Sequence, residues 1–220
     1  MSESLSPRRL RTRRRLAQAA IELYAEAGIA ASTVETICER AGFSRGAFYA
    51  NFPTKEALSA EILAALHEAL SDWTKRALAR VRDDLTTTPN LTTQPGPDLL
   101  DRTTRRVLNL DAIDPSSPDP WSHASLTLIE LSLQAVRDPS VREAYRAGRG
   151  ALLDPLGSFL EQLAQLLGRR LSVSPEMAAG ALIAVFLAAS RSALAAGDRV
   201  ADTLAPRVAV LLGRVTAPLA

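Results

Sequence analysis

The sequence contains few of the residues that catalytic and metal-binding sites usually require. Its 220 residues include a single cysteine, Cys38, and two histidines, His67 and His123, which are far apart in the chain. One cysteine excludes an intramolecular disulfide, and this spacing of cysteine and histidine fits no zinc site. The Gly148–Gly150 segment lacks the preceding strand and the spacing of a phosphate-binding loop. We therefore predict that the protein is not an enzyme and that it holds neither a metal nor a cofactor.

Long hydrophobic runs are missing as well. The longest apolar stretch, residues 177–189, spans about 13 residues, whereas a transmembrane helix needs about 20. Glu22 and Glu26 interrupt the apolar residues after the N-terminal arginines, so no secretory signal is expected. The composition, with 47% hydrophobic and 23% charged residues, is typical of a soluble globular protein. The sequence thus predicts a cytoplasmic protein without a membrane partner.

Positive charge is concentrated at the N-terminus. Residues 1–52 contain eight Arg and five Glu and neither Lys nor Asp, although the net charge of the whole chain is only +2. Six of the arginines lie between Arg8 and Arg15. A basic end on a nearly neutral chain indicates a polyanionic partner for that end. We interpret residues 1–11 as a disordered arm, and both a contact with DNA and a solvated tail are compatible with it.

Residues 32–51 have the pattern of two short helices joined by a glycine turn. We predict that Ser32 is the N-cap of the first helix and that Glu35 completes a capping box. Gly42 can adopt the positive φ that ends such a helix. Cys38 falls on the apolar stripe and is predicted to be a small buried residue.

A second helix follows this turn, with Ser44 as its predicted N-cap. It is expected to run from Arg45 to Phe52, since Pro53 would stop it. Phe48 is expected in the core and Tyr49 on the surface, because adjacent residues cannot both point inward. Helix, short turn and helix form the helix-turn-helix arrangement, whose second helix enters the major groove of DNA.

The rest of the chain repeats apolar residues at three- or four-residue steps, the period of a helix, without a strand pattern or an internal repeat. The fold class is therefore all-α. Asp154-Pro155 leaves two alternatives, the start of a new helix or a kink in a continuing one. The predicted helices outside the motif cover residues 12–27, 54–84, 99–110, 121–136, 140–152, 155–167, 174–196 and 202–212.

The last two helices are unusually apolar. The helix at about 174–196 is apolar almost all round, which indicates burial on more than one side. We interpret this helix and the last one, at about 202–215, as a homodimer interface. The alternative is that both are central helices of the monomer.

Residues 13–66, about a quarter of the chain, resemble the DNA-binding domain of the TetR family of one-component transcriptional repressors. Beyond this region the resemblance is one of architecture only. It implies a helix-turn-helix domain at 12–56 and a larger helical domain at 57–220 for effector binding and dimerisation. The residues that carry the resemblance are Ile21 to Tyr24, Ala27, Gly28, Thr33, Ile37, Ala41, Gly42, Ser44, Gly46, Phe48, Tyr49, Phe52, Lys55, Glu56 and Leu58.

The resemblance also implies roles in DNA binding. Arg45 would read a base, since its guanidinium matches guanine bidentately. Gly46 would let the backbone approach the groove, and Ala47 and Asn51 would face outward, although both depart from the residues common in the family. The phosphate contacts would come from Thr33, Ser44, Tyr49 and Lys55.

A small-molecule effector is the remaining implied partner. The low aromatic content, 5%, and the many leucines and alanines suggest an apolar or amphipathic compound. Trp121, His123 and Tyr145 are the predicted pocket residues, and packing or surface roles are the alternative. The predicted function is a repressor that an effector releases from a palindromic operator by a population shift. A DNA-binding protein of purely architectural function is the rival.

Overall fold

The computed structural model describes residues 6–87, 97–108 and 120–219. These residues form nine helices and one short antiparallel strand pair, so the predicted all-α class is confirmed. The helices are α1 (Pro7–Ala31), α2 (Val34–Ala41), α3 (Arg45–Tyr49), α4 (Leu58–Thr87), α5 (Pro97–Leu108), α6 (Pro120–Arg137), α7 (Pro139–Leu166), α8 (Pro175–Ala196) and α9 (Val200–Val215). The strands are β1 (Arg169–Leu171) and β2 (Thr216–Pro218).

The chain divides into two compact units, and both are discontinuous in sequence. Unit 1 combines residues 1–68 with 126–150, and unit 2 combines residues 69–125 with 151–220. The predicted functional boundary at residue 57 therefore does not coincide with the structural one. The first turns of α4 and two later segments, from α6 and α7, belong to the same unit as the helix-turn-helix.

Unit 1 is organised around one apolar core. Phe48 and Phe52 are its largest buried side chains, 0% and 1% exposed. The later segment contributes Leu131, which is fully buried in the same cluster. Two polar contacts add to this packing: the Thr127 hydroxyl donates to the Ile21 carbonyl over 3.3 Å, and the Glu130 carboxylate accepts from the Ile29 amide over 3.2 Å. The buried residues of this core include Leu16, Ala20, Tyr24, Ile37, Leu58 and Ile62.

Helix α1 begins five residues earlier than predicted. Ser6 is its N-cap, with a hydroxyl that accepts from the Arg9 amide, and Pro7 occupies the first turn, where its missing N–H costs nothing. The interpretation of residues 1–11 as a disordered arm is therefore wrong for residues 7–11, which are helical, and residues 1–5 lie outside the described part. Gly28 interrupts the helical backbone with φ of 78°, close to its predicted role as the helix end.

The predicted cap of α2 is also corrected. Thr33, not Ser32, is the N-cap, and its capping box is completed by Thr36 instead of Glu35. The Ser32 hydroxyl is turned back to the Gly28 carbonyl, 2.8 Å away. Gly42 has φ of 70°, as its predicted role in ending the helix requires.

Unit 2 has a separate core, to which α9 contributes much of one face. In this unit α9 packs against both α8 and α5. The predicted helices at the C-terminus are confirmed as α8 and α9, the latter beginning at Val200. The core includes Ala77, Val81, Phe159, Leu160, Leu163, Ala189, Leu204, Val208 and Leu212.

Two features of unit 2 bear on the sequence expectation. Helix α7 continues through Pro155 as one helix, which is the second of the two alternatives left open at Asp154-Pro155. A strand pair is present, with Arg170 aligned to Ala217 in antiparallel register. The expectation of a wholly helical chain missed it, because each strand has only three residues, too few to show a period.

The remaining helices agree with prediction except at their ends. Helix α4 begins at Leu58 rather than near residue 54, and it runs to Thr87. Helix α5 ends at Leu108, while residues 109 and 110 of the predicted helix lie outside the described part. Helix α8 is the one described helix that is long and apolar enough, by length and composition, to cross a membrane. One such helix is weak evidence of a membrane span, because core helices of soluble proteins meet the same criterion.

Candidate nucleic-acid interface

Helices α2 and α3 are fixed by caps at both of their N-termini. The Thr33 hydroxyl accepts from the Thr36 amide over 3.1 Å, and the Thr36 hydroxyl accepts from the Thr33 amide over 3.0 Å. Ser44 caps α3 as predicted, because its hydroxyl accepts from the Ala47 amide over 3.2 Å. These bonds satisfy amides that a helix start leaves unpaired, and they define where the short α3 begins.

The inner side of this motif is apolar, as the sequence predicts. Phe48 is fully buried, Cys38 is 3% exposed, and Tyr49 is 49% exposed. The Cys38 thiol lies 3.6 Å from the Ser44 carbonyl, and burial raises its pKa. Helix α3 ends at Tyr49, earlier than the predicted Phe52. A short helix with one buried aromatic side leaves its other side free to meet a partner.

The outward side of α3 carries the polar residues that the sequence singles out. Ser44, Arg45, Gly46 and Tyr49 are exposed, and Ala47 is partly exposed. The Arg45 guanidinium forms an ion pair with Glu35 of α2, with 2.9 Å between Nη1 and Oε1. Hydrogen bonding to Tyr49, together with Glu35, raises the pKa of Arg45. This surface presents one cation, a phenol and a hydroxyl beside a bare glycine backbone.

Lys55 does not have the surroundings expected of a phosphate contact. Its ammonium donates to the carbonyls of Ile29 and Ser32, at 2.6 and 2.7 Å, so it joins the segment before α4 to the end of α1. Partial burial lowers its pKa. The expected position at a helix N-terminus is wrong as well, since α4 begins three residues later, at Leu58. In this structure Lys55 has a structural contact that its sequence position did not reveal.

Asn51 is the second residue whose predicted orientation is wrong. Its amide nitrogen donates to the Ala47 carbonyl over 2.8 Å, and its side-chain oxygen is buried without a hydrogen-bond partner. The side chain therefore turns back onto α3 instead of facing outward. It follows α3, which ends before it, so the groove-side spacing of a longer helix does not apply.

Three arginines of α1 bind the carbonyl ends of the two motif helices. Arg9 donates to the Ala50 carbonyl over 3.0 Å, Arg13 to the Asn51 carbonyl over 2.8 Å, and Arg15 to the Ala41 carbonyl over 2.9 Å. Cations at helix C-termini are favourable, because they meet unpaired carbonyls and the negative end of the dipole. Residues that the sequence grouped as one basic arm thus include three that position α2 and α3.

The Arg13 contact is the most extensive of the three. Its guanidinium also pairs with Glu61 of α4 at 2.7 Å, and it lies 4.2 Å from the centre of the Phe52 ring. Both charged side chains are mostly buried, 20% and 18% exposed. In contrast, the side chains of Arg8 and Arg11 are exposed. These two form no hydrogen bond or ion pair within the described part of the chain.

The family comparison agrees with this geometry. A family model described as bacterial regulatory proteins of the tetR family matches residues 16–62, which are the three helices of the motif and the start of α4. The likeness to this family lies in the helix-turn-helix part of the chain. The Bacillus subtilis protein YerO, an uncharacterised HTH-type transcriptional regulator, is 46% identical over 44 residues. That match covers 20% of this chain and 15% of the length of YerO.

Solved structures extend the likeness in fold to nearly the whole chain. A TetR-family transcriptional regulator from Mesorhizobium loti has a TM-score of 0.62 at 17% identity, covering 96% of this chain and 100% of its own. The reduced form of Escherichia coli NemR has a TM-score of 0.60 at 19% identity, covering 95% and 99%. Salmonella enterica GusR is 25% identical with a TM-score of 0.51, covering 96% and 100%. At these identities the likeness shows the fold.

The three predicted effector residues are divided between the two units. Trp121 lies in unit 2, where its ring is 5.5 Å from Trp73 and 6.3 Å from Phe186. Tyr145 belongs to unit 1 and packs on that unit's core, and burial raises its pKa. His123 is exposed. The shared pocket stays a prediction, because Trp121 and Tyr145 belong to different units.

A small cleft in unit 2 offers a different location. Its volume is about 40 Å³, and it opens beside α4 and α5. None of the three predicted effector residues lines it. Within the described part of the chain, no group of three or more His, Cys, Asp or Glu could hold a metal ion. The lining residues are Val81, Asp84, Leu85, Leu99, Arg102, Thr103, Arg106 and Leu167.

Proposed function

We propose that this protein is a sequence-specific transcriptional repressor of the TetR family. It binds a palindromic operator as a homodimer and leaves it when a small-molecule effector binds. The observation that carries this proposal is the exposed face of α3, where Arg45, Gly46 and Tyr49 are free of the core that buries Phe48. Phosphate contacts position such a helix, and side chains at base edges give it sequence preference.

The surface of α8 and α9 supports the homodimer. Helix α8 has a mean hydropathy of 1.7 over its most apolar window, yet only 28% of that window is buried within one chain. Met177 of α8 is 63% exposed and Val210 of α9 is 64% exposed. Exposed apolar surface on a soluble protein marks an interaction site, and a second copy of the same helices would cover it.

A two-fold dimer has a direct consequence for the DNA site. Two copies of α3 would read half-sites whose centres lie about 34–36 Å apart, one helical turn, so the operator would be roughly palindromic. The two-fold symmetry of the protein then matches the symmetry of the DNA. The affinity of the dimer exceeds that of a single helix-turn-helix, because both copies bind the same operator.

Unit 2 supports an effector of apolar or amphipathic character. Trp73, Trp121, Phe159 and Phe186 form a chain of aromatic contacts there, each pair with ring centres 5.4 to 6.3 Å apart. The buried hydroxyls of Ser125 and Ser190 are 2.8 Å apart and supply polar atoms in the same unit. Ligand pockets combine mostly apolar walls with a few such groups.

The proposed mechanism of release is a population shift. Helix α4 contributes residues to both units, through Glu68 to unit 1 and from Ala69 to unit 2. An effector that binds unit 2 more tightly in one conformation would favour that conformation. Release then follows if the two α3 helices of the dimer no longer have the operator spacing.

Gel shifts at two salt concentrations on DNA from beside the regulator's own gene test the proposal. A specific complex of dimer stoichiometry that weakens at higher salt is expected, because phosphate contacts release counterions. If this DNA is not bound and the protein also enriches no sequence from random genomic fragments, the proposed function is wrong. Addition of candidate apolar ligands separates a releasable repressor from an architectural protein, whose DNA affinity would not respond.

A further inference from the structure

Glu35 and Arg45 form an ion pair on the proposed DNA-facing surface. Glu35 lies in the first turn of α2, and Arg45 is the first residue of α3. Their side chains are 71% and 60% exposed, and the closest nitrogen and oxygen are 2.9 Å apart. This carboxylate therefore occupies the guanidinium that, in the proposed function, reads a base.

The pair contributes little to the packing of the motif. Helices α2 and α3 are already joined by the turn at Gly42, by the contact of Cys38 with the Ser44 carbonyl, and by the fully buried Ile37 and Phe48. Exposed ion pairs add little stability. A role other than folding is therefore needed to explain why an acidic residue stands beside the base-reading cation.

We propose that Glu35 is a specificity-determining residue that competes with non-cognate DNA for the Arg45 guanidinium. This inference rests on the proposed function, in which α3 enters the major groove. In the free protein and on non-cognate DNA, Arg45 stays paired with Glu35. At the cognate base, a bidentate contact with guanine replaces the pair.

The strengths of the competing contacts allow this exchange. A single phosphate offers Arg45 a contact similar to the carboxylate, and Glu35, once unpaired, would face the polyanion. A guanine edge offers two parallel hydrogen bonds in the geometry of the guanidinium, which an exposed single contact to Glu35 does not match. The carboxylate thus lowers affinity for DNA of any sequence and lowers it least where the cognate base is present.

The test compares Glu35→Gln with Glu39→Gln. Glu39 is exposed on the same helix one turn later and forms no ion pair with any described residue, so it matches the change in net charge. Fluorescence anisotropy would measure affinity for two duplexes over a range of salt. One duplex is enriched from random DNA by the wild-type protein, and the other is a scramble of the same composition.

For Glu35→Gln we expect affinity for the scrambled duplex to rise about two- to fivefold, the range of an exposed ion pair. Its salt dependence should steepen by about one unit in the log–log slope, because Arg45 gains a phosphate. Affinity for the enriched duplex should rise less, so the specificity ratio falls. In an Arg45→Ala background the effect of Glu35→Gln should vanish, and the melting temperature should not change.

Two results would overturn the inference alone. Either Glu35→Gln behaves like Glu39→Gln, or it raises affinity for both duplexes equally while the wild type remains selective. If the wild-type protein enriches no sequence from random DNA, the proposed function fails and this inference fails with it. The enrichment step tests the proposed function and the titrations test the role of Glu35, so the two failures are distinguishable.

Discussion

Two cationic side chains near α3, those of Arg45 and Lys55, have opposite surroundings. Arg45 is exposed and paired with an exposed carboxylate, whereas the Lys55 ammonium donates to two backbone carbonyls. An exposed guanidinium can change partner without disturbing the fold. An ammonium that joins two backbone segments cannot. Substitutions at the two positions should therefore affect different properties.

Arg45→Ala should weaken binding to the selected operator by about 1–3 kcal/mol and relax its preference at one base pair, because one bidentate base contact is lost. The melting temperature should stay unchanged. Binding to a panel of single-base operator variants measures the preference. Arg170→Ala, in unit 2, is the control for lost charge. A uniform loss over the whole panel would assign Arg45 to a phosphate instead.

Lys55→Ala should destabilise the protein by about 1–3 kcal/mol, the range for hydrogen bonds with a charged donor. Thermal unfolding measures the loss. Lys75→Ala is the matched control, since the Lys75 side chain is 77% exposed and its removal should leave the melting temperature unchanged. A Lys55 variant of normal stability with a shallower salt dependence of DNA binding would instead support the phosphate contact that the family resemblance implies.

For single residues, the sequence predicted the structure correctly where the residue type and the local helical period determine its conformation or burial. Gly42 has the backbone angle that its turn requires, and Phe48 is buried by the helical period. Prediction from the sequence failed where a neighbour decides. Either Ser32 or Thr33 could cap α2, and the choice depends on Ser32 finding the Gly28 carbonyl. The Lys55 contact joins residues 23 and 26 positions away, which no local pattern contains.

Among the helices, α1 combines two kinds of arginine. Arg9, Arg13 and Arg15 bind carbonyls at the ends of α2 and α3, whereas Arg8 and Arg11 are exposed without such contacts among the described residues. The first group holds α2 and α3 in place, and the second group lies on the surface beside them. Substitutions in the first group should therefore lower stability, whereas substitutions in the second should change only the salt dependence of DNA binding.

Arg13→Ala should lower stability by on the order of 3 kcal/mol, because it leaves the mostly buried Glu61 unpaired. DNA affinity should fall as well, with an unchanged salt dependence. Arg11→Ala should do the reverse, reducing the log–log salt slope by about one at constant melting temperature. Chemical denaturation and anisotropy titrations give both numbers. An unchanged slope for Arg11→Ala would mean that this part of α1 does not touch DNA.

Element types were predictable from periodicity, and element ends were less so. The predicted start of α1 near residue 12 missed the first turn, although Ser6-Pro7 is a usual cap and first position. The run of arginines was interpreted as part of a disordered basic arm, but Arg9, Arg13 and Arg15 bind backbone carbonyls at the ends of α2 and α3. Strands β1 and β2 are stabilised by their mutual pairing, a long-range contact.

In the whole molecule, the apolar surface of α8 and α9 is the feature that one chain leaves uncovered. Val210→Glu should shift the protein towards monomer, since an unpaired buried charge costs on the order of 3 kcal/mol, roughly a hundredfold in dimer affinity. Operator binding should weaken with it. Val136→Glu is the matched control, because Val136 is 74% exposed on α6. Analytical ultracentrifugation measures both. A dimeric Val210→Glu protein would place the interface elsewhere.

The proposed effector site was the least predictable feature. Trp121, His123 and Tyr145 were chosen by residue type, and the structure distributes them between two units and the surface. A pocket requires residues distant in sequence to meet. In a chain whose units are both discontinuous, order along the sequence gives little guidance to such meetings. The helix-turn-helix, by contrast, lies within one short segment, so it could be predicted from the sequence.

Thr127, Glu130 and Leu131 belong to the second segment of unit 1, and their contacts with the first segment also affect how the protein folds during synthesis. Residue 68 ends the first segment of that unit, and the second segment ends at residue 150. At about 5–20 residues per second, the ribosome needs several more seconds to supply the missing piece. Until then the Ile29 amide has no carboxylate to meet. During synthesis, unit 1 should therefore become protease-resistant only after most of the chain has been translated.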